Sequence, residues 1–394
     1  MSGKNNNPIR CFVCRLAMRP CFVISSNALV KELLNLKCDG DTYNGLKDFF
    51  FGLFGTNIMF AEPDDSKEMR KVLVSLIQPQ ALSNYSHFLE DLVSSWIMKD
   101  LKSSEPIVLY DKFKNFATMF TLKLFLGLED AQLEEVGAIA TKHWHGIISM
   151  PLNVKLSFLM SSSYNKALQA KEQLLQIIEK RLEDGGGCPF LANLAEKSEN
   201  VMSKEVLMNN VLLFTCALIP KALASLLTSF MDTSLLWHDK FVKNGTISDE
   251  ALANILLEVM RLWPPFFGGL RVTQKQVDLG EFHVPEGYGI FYSYYAAHRD
   301  PLVFEHPEEF MPERWSGANA EDHDKLFGFG GGPHKCIGEN LVHDVMKFVC
   351  RKLIQHFTWE HLPEPMERNI KCLPVLRPRH LEGVILTPRD PALA

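Results

Sequence analysis

The run Phe327-Gly-Phe329-Gly-Gly-Gly332-Pro-His334-Lys-Cys336-Ile-Gly338 sets one cysteine in a glycine-rich loop with no second cysteine nearby. Such a loop lets backbone N–H groups point at the sulfur. The apolar, helix-compatible stretch from Leu341 to Val349 follows at once, and the positive end of a helix placed there favours thiolate. A thiolate held in this way is suited to be the axial ligand of a haem iron, where it pushes electron density toward bound oxygen. The plainer meaning of the same residues is a buried free cysteine in a glycine-rich turn. The position of the cysteine by itself leaves both open.

The whole pattern, Phe329-x-x-Gly332-x-His334-x-Cys336-x-Gly338, resembles the haem-binding signature of the cytochrome P450 family. The resemblance implies that Phe329 packs near the sulfur, that the glycines allow close approach to the porphyrin, and that Cys336 binds iron. The implied cofactor is haem b, iron protoporphyrin IX. The family usually has Arg where this chain has His334, which can still donate to a haem propionate but whose charge depends on pH.

Three further features agree. Glu258-Val-Met-Arg261 puts a carboxylate and a guanidinium three apart on the helical stretch Ala251 to Leu262, and Pro264-Pro265 should stop that helix. A lone pair of this kind is more commonly a surface ion pair. Here Phe310-Met-Pro-Glu-Arg314-Trp lies between it and Cys336, and in the family a matching Arg closes a Glu-Arg-Arg network under the haem loop. Glu258, Arg261 and Arg314 would then be structural, a role that suits arginine's planar fork. Buried propionates need cationic partners. Arg271 matches a propionate-binding Arg of the family. Arg70, in Ser66-Lys-Glu-Met-Arg70, matches the basic end of a motif that normally opens with Trp or His, so with Ser66 only half of it is present.

Within the family the chain is most similar to the retinoic-acid hydroxylases. The likeness rests on Arg261-Leu-Trp-Pro-Pro-Phe-Phe-Gly-Gly-Leu-Arg271-Val, on Phe329-Gly-Gly-Gly, and on the segment from Arg19 to Leu34. It is strong after Glu258 and loose between about 100 and 245. Substrate choice is made largely in that loose region, so retinoid specificity does not follow.

The elements that must position these residues read as mainly α with smaller β-sheets, a P450-like haem-centred fold in one domain over 1–394, with a β-rich start at about 8–30, a helical bulk and the haem loop at 327–338. With 394 residues, 46% of them apolar, the chain can bury a large core. Its net charge of −6 carries no basic stripe, which argues against nucleic acid as a partner. Nine scattered cysteines argue for a reducing compartment, and Cys11-x-x-Cys14, lacking a second pair, reads as strand cysteines. No apolar run of anchor length opens the chain, so the usual N-terminal anchor is expected to be missing, although family members work at the cytosolic face of the endoplasmic reticulum. Arg10 to Ser25 alternates as paired strands do. Tyr164 to Leu182 is helical and is broken by the glycines after Asp184. Ile147 to Leu159 would cap a substrate channel, touch a membrane, or belong to the core.

One departure bears on mechanism. Oxygen-activating relatives carry an acid followed by Thr in a long helix across the haem. Here that helix is Val206 to Phe230, and aligning Leu213-Phe214 puts Leu218 and Ile219 at those places, where neither can relay a proton. Thr215 and Cys216 lie nearby in another register, and Pro220 should kink the helix. Three classes stay open: a monooxygenase hydroxylating a lipophilic small molecule with electrons from NADPH through a reductase, a peroxide-rearranging isomerase or lyase, and a haem-binding protein without turnover.

Overall fold

The computed structural model describes residues 11–389, apart from 17–18, 37–39, 79–84, 102–104, 149–161, 186, 318–322, 362–369, 373–374 and 379–381. Most described residues are helical, and the strands gather in small sheets. The largest sheet has five strands in the order Cys11–Leu16, Arg19–Ile24, Gly289–Ser293, Gly268–Thr273, Thr42–Asn44. Its first two strands form an antiparallel hairpin, and the second of these runs parallel to Gly289–Ser293. The β-rich start is shorter than its sequence suggested. Ser26 accepts the Leu29 backbone N–H at 3.3 Å and caps a helix, Asn27–Asn35, whose Leu29, Val30, Leu33 and Leu34 are buried at helical spacing.

Helices carry the rest of the core. The Glu258 helix, Asp249–Leu262, starts at the Ser248 cap with Asp249 and Glu250 in its first turn, and it ends before Pro264. The cysteine helix, Glu339–His356, buries Leu341, Val345, Val349 and Leu353. Ser163–Glu183 covers the helix read from the Tyr164 periodicity. Of the segment Ile147 to Leu159, all but the first two residues lie outside the described residues.

The long helix read as Val206 to Phe230 is built in three pieces. Lys204–Leu212 is α-helical, Leu213–Ala217 makes a π-helical turn, and Leu218–Asp232 continues as α-helix. Pro220 has no N–H to offer the Cys216 carbonyl, and its ring crowds that group, so the wider turn just before it absorbs the misfit. By length and apolarity Lys204–Asp232 resembles a membrane span, but it is largely buried and packs against the helix Leu109–Leu126.

Candidate functional site

Below the cysteine loop, Glu258 is fully buried and its carboxylate accepts five hydrogen bonds. Oε1 accepts from Arg261 Nη2 at 2.8 Å, Arg314 Nε at 3.1 Å and the Met311 backbone N–H at 2.9 Å. Oε2 accepts from Arg261 Nε at 3.0 Å and Trp315 Nε1 at 2.9 Å. Arg261, also fully buried, sends Nη1 to the carbonyls of His298 at 2.9 Å and Pro307 at 2.6 Å, and Nη2 to that of Glu309 at 2.9 Å. Arg314 reaches the Glu305 and His306 carbonyls. A carboxylate and two planar forks thus hold the irregular chain from His298 to Trp315, whose backbone would otherwise lack partners.

No motif or spacing in the sequence marks His298. Its Nε2 accepts the Phe327 backbone N–H at 2.7 Å, so the ring proton sits on Nδ1 and donates to the Arg261 carbonyl at 3.1 Å. Burial pushes His298 down to about 3, which keeps it neutral as this bridge requires. The network is thereby joined to the first residue of the cysteine loop.

Within the loop the Cys336 backbone N–H donates to the Phe329 carbonyl at 2.7 Å, and the Phe329 ring lies 5.1 Å from that of His343. Gly332 has φ +60°, and a Cβ there would run into the Leu34 carbonyl, so only glycine lets the loop seat on the helix Asn27–Asn35. Burial raises the Cys336 thiol, against the pull of the Gly338 backbone N–H, Arg70 and Lys335, while Glu339 adds to the rise. The Gly338 N–H at the start of the helix thus favours thiolate, in the direction expected from the sequence, and burial outweighs it in the chain without a bound cofactor. The same sulfur belongs to a residue with open surface.

Cations gather around the loop. Arg70 Nη2 donates to the Lys335 carbonyl, beside Cys336. Arg271, in the strand Gly268–Thr273, is only 8% exposed and makes no ion pair among the described residues. His334 feels both guanidiniums, and burial first, then Arg271 and Arg70, push it down to about 4. Tyr294 stands within electrostatic reach of Arg271 and Cys336. A buried guanidinium without a counter-charge is costly, and here it acts together with Arg70 on His334, two residues before Cys336. The donor set fits haem: Cys336 toward the iron, and Arg70, Arg271 and His334 toward propionates.

In the long helix, the Thr215 hydroxyl is buried and donates to the Val211 carbonyl at 2.8 Å, and burial pushes the Cys216 thiol up to about 12. Neither group is available to carry protons. Ile219 is half-buried and has no ionisable group to offer.

The family profile "Cytochrome P450" matches residues 250–385, a span that holds the network, Arg271 and the cysteine loop. Protopanaxadiol 6-hydroxylase of Panax ginseng is 25% identical over 332 residues, 75% of this chain and 68% of that one. The putative cytochrome P450 120 of Synechocystis is 25% identical over 341 residues, 79% and 75% of the two chains. Among solved structures, the retinoic acid bound cyanobacterial CYP120A1 superposes with a TM-score of 0.81 at 23% identity, over 96% of this chain and 92% of that one. The cytochrome P450DA heme domain gives 0.80 at 16% identity, over 98% and 91%. A fold shared along nearly the whole length, and a profile that takes in the cysteine, its loop and the network beneath it, lead to one conclusion: the chain has the fold of cytochrome P450 haem domains and carries the cytochrome P450 profile over residues 250–385.

Proposed function

We propose that this protein hydroxylates a lipophilic small molecule at haem b bound through Cys336. The observation that carries the reading is the convergence of Arg70 and Arg271 on His334, two residues before the exposed Cys336, with Arg271 buried and without a protein counter-ion among the described residues. When bound, the haem supplies oxygen activation. Cys336 holds its iron, Arg70, Arg271 and His334 take the propionates, and the Glu258 network keeps the loop in place. Protopanaxadiol and retinoic acid, named on two of the relatives, support a lipophilic substrate. NADPH supplies electrons through a partner reductase. The eight described cysteines are free, which supports work in a reducing compartment, and recovery in a secreted fraction would refute that placement.

With Leu218 and Ile219 in place of an acid and Thr, and with Thr215 bonded to its own helix, water must carry the protons. The test is the carbon monoxide difference spectrum of the reduced protein, followed by NADPH-driven turnover with a reductase. A strongly red-shifted Soret band and an oxygenated product carrying label from 18O2 are expected. No haem, or a band typical of a neutral ligand, would overturn the proposal, and a product whose oxygen comes only from a peroxide substrate would point to rearrangement.

A further inference from the structure

The helix Leu218–Asp232 buries an amine that the haem site does not use. Lys221 is 4% exposed and forms no ion pair among the described residues. Its ammonium lies 5.8 Å from the centre of the Trp144 ring, on the helix Asp130–His145. Two more cations act on it, Lys114 from the helix Leu109–Leu126 and Arg377 from the short strand Arg377–Pro378. The strand is held against Lys221's own helix, where Ser225 Oγ donates to the Leu376 carbonyl.

One carboxylate, Asp111, reaches this group, and it is already paired with Lys114 at 2.7 Å. Arg377 makes no ion pair among the described residues either. Its guanidinium stacks on Tyr110 with 3.4 Å from its central carbon to the ring centre, and it is half-buried. Burial first, then Lys114 and Arg377, push Lys221 down to about 8 against the opposing pull of Cys216 and Asp111, so it still carries its charge at pH 7. Three cations therefore share one carboxylate, between two aromatic walls.

A buried ammonium with no counter-ion is costly, whereas a guanidinium fork beside it is already shaped for a carboxylate. The aromatic walls favour an acid that brings an apolar body over a small free anion. We infer that Lys221 and Arg377 hold the carboxylate end of a lipophilic acid. The inference rests on the hydroxylase reading above and narrows its substrate class. Asp111 stays with Lys114 in this arrangement.

The experiment uses the haem-loaded protein and three probes: dodecanoate, 1-dodecanol and sodium acetate. Binding is read by quenching of tryptophan fluorescence and by calorimetry. Dodecanoate is expected to bind roughly tenfold or more tightly than 1-dodecanol, the size of one charge-assisted contact. Lys221→Met and Arg377→Met should each reduce that preference, their combination should abolish it, and Lys221→Arg should retain part of it. Unchanged 1-dodecanol binding in the variants shows that their fold is intact. Equal affinity of the unaltered protein for the acid and the alcohol would overturn the inference, as would a preference surviving in the double variant. Displacement of dodecanoate by low millimolar acetate would also overturn it, by showing a small-anion site. The carbon monoxide spectrum of the same samples separates the two readings. A red-shifted band with equal affinities removes the carboxylate site alone, and no such band with the preference intact removes the hydroxylase reading alone.

Discussion

Phe327 and Arg261 are joined through one imidazole: the Phe327 backbone N–H enters His298 Nε2 at 2.7 Å, and His298 Nδ1 donates to the Arg261 carbonyl at 3.1 Å. The bridge works only with a neutral ring, since a protonated one would have no acceptor for Phe327.

Acid should therefore weaken the fold through His298. Its folded value is about 3, below the ordinary 6.5. Between those values the unfolded chain binds a proton that the folded chain refuses, so stability present above pH 6.5 is lost as pH falls toward 3, by about 1.4 kcal/mol per pH unit. In urea titrations across that range, His298→Gln should be less stable at pH 7 yet lose stability with a slope shallower by about that amount. An unchanged slope would argue against a neutral bridge.

Glu258→Gln should leave Arg261 and Arg314 without their buried counter-charge. A loss of roughly 3–5 kcal/mol is expected from breaking one side of such a network. Denaturant unfolding followed by circular dichroism measures it, and a loss below about 1 kcal/mol would show that the carbonyl contacts alone hold the segment.

Arg271→Leu separates the empty chain from the loaded one. Without haem, removal of an unpaired buried charge should leave stability equal or raise it. With haem, the variant should release the cofactor to apomyoglobin roughly tenfold or more faster, since a charge-assisted bond contributes about 1.5–3 kcal/mol. Equal release rates would remove Arg271 from the propionate set.

Cys336→Ser should abolish the red-shifted carbon monoxide band while far-ultraviolet circular dichroism keeps its helical signal. Retention of that band would move the iron ligand elsewhere.

Peroxide-driven turnover should outpace NADPH-driven turnover, because Leu218 and Ile219 cannot deliver protons. Introducing Leu218→Asp together with Ile219→Thr should raise the NADPH-driven rate, by up to the 100-fold or more that a positioned acid supplies. Product yield per NADPH consumed is the measurement, and no gain would show that water already serves.

What could be read from residues alone was chemistry that tolerates few substitutes. Cys336 in its glycines and Glu258 three before Arg261 announce themselves because a thiolate ligand and a buried fork demand those types at those spacings. His298 gave no such notice, since its role exists only once the Phe327 backbone has folded against it. Thr215 looked like a spare hydroxyl and is bonded to Val211. Lys221 carries no mark in the sequence, because nothing local tells an exposed lysine from a buried one. The strands at the start were legible by alternation, while the turn to helix at Asn27 depended on the single side chain of Ser26.

The seat of Gly332 against Leu34 has a consequence in time as well as space. These two positions come from opposite ends of the sequence, so the shape of the cysteine loop is a long-range contact, and such contacts close late in folding. A chain still being synthesised cannot present a finished iron site, however early its cysteine helix forms. Cofactor capture would then be the last act of folding, and a segment lost from the first helix would be felt first as a failure to retain haem.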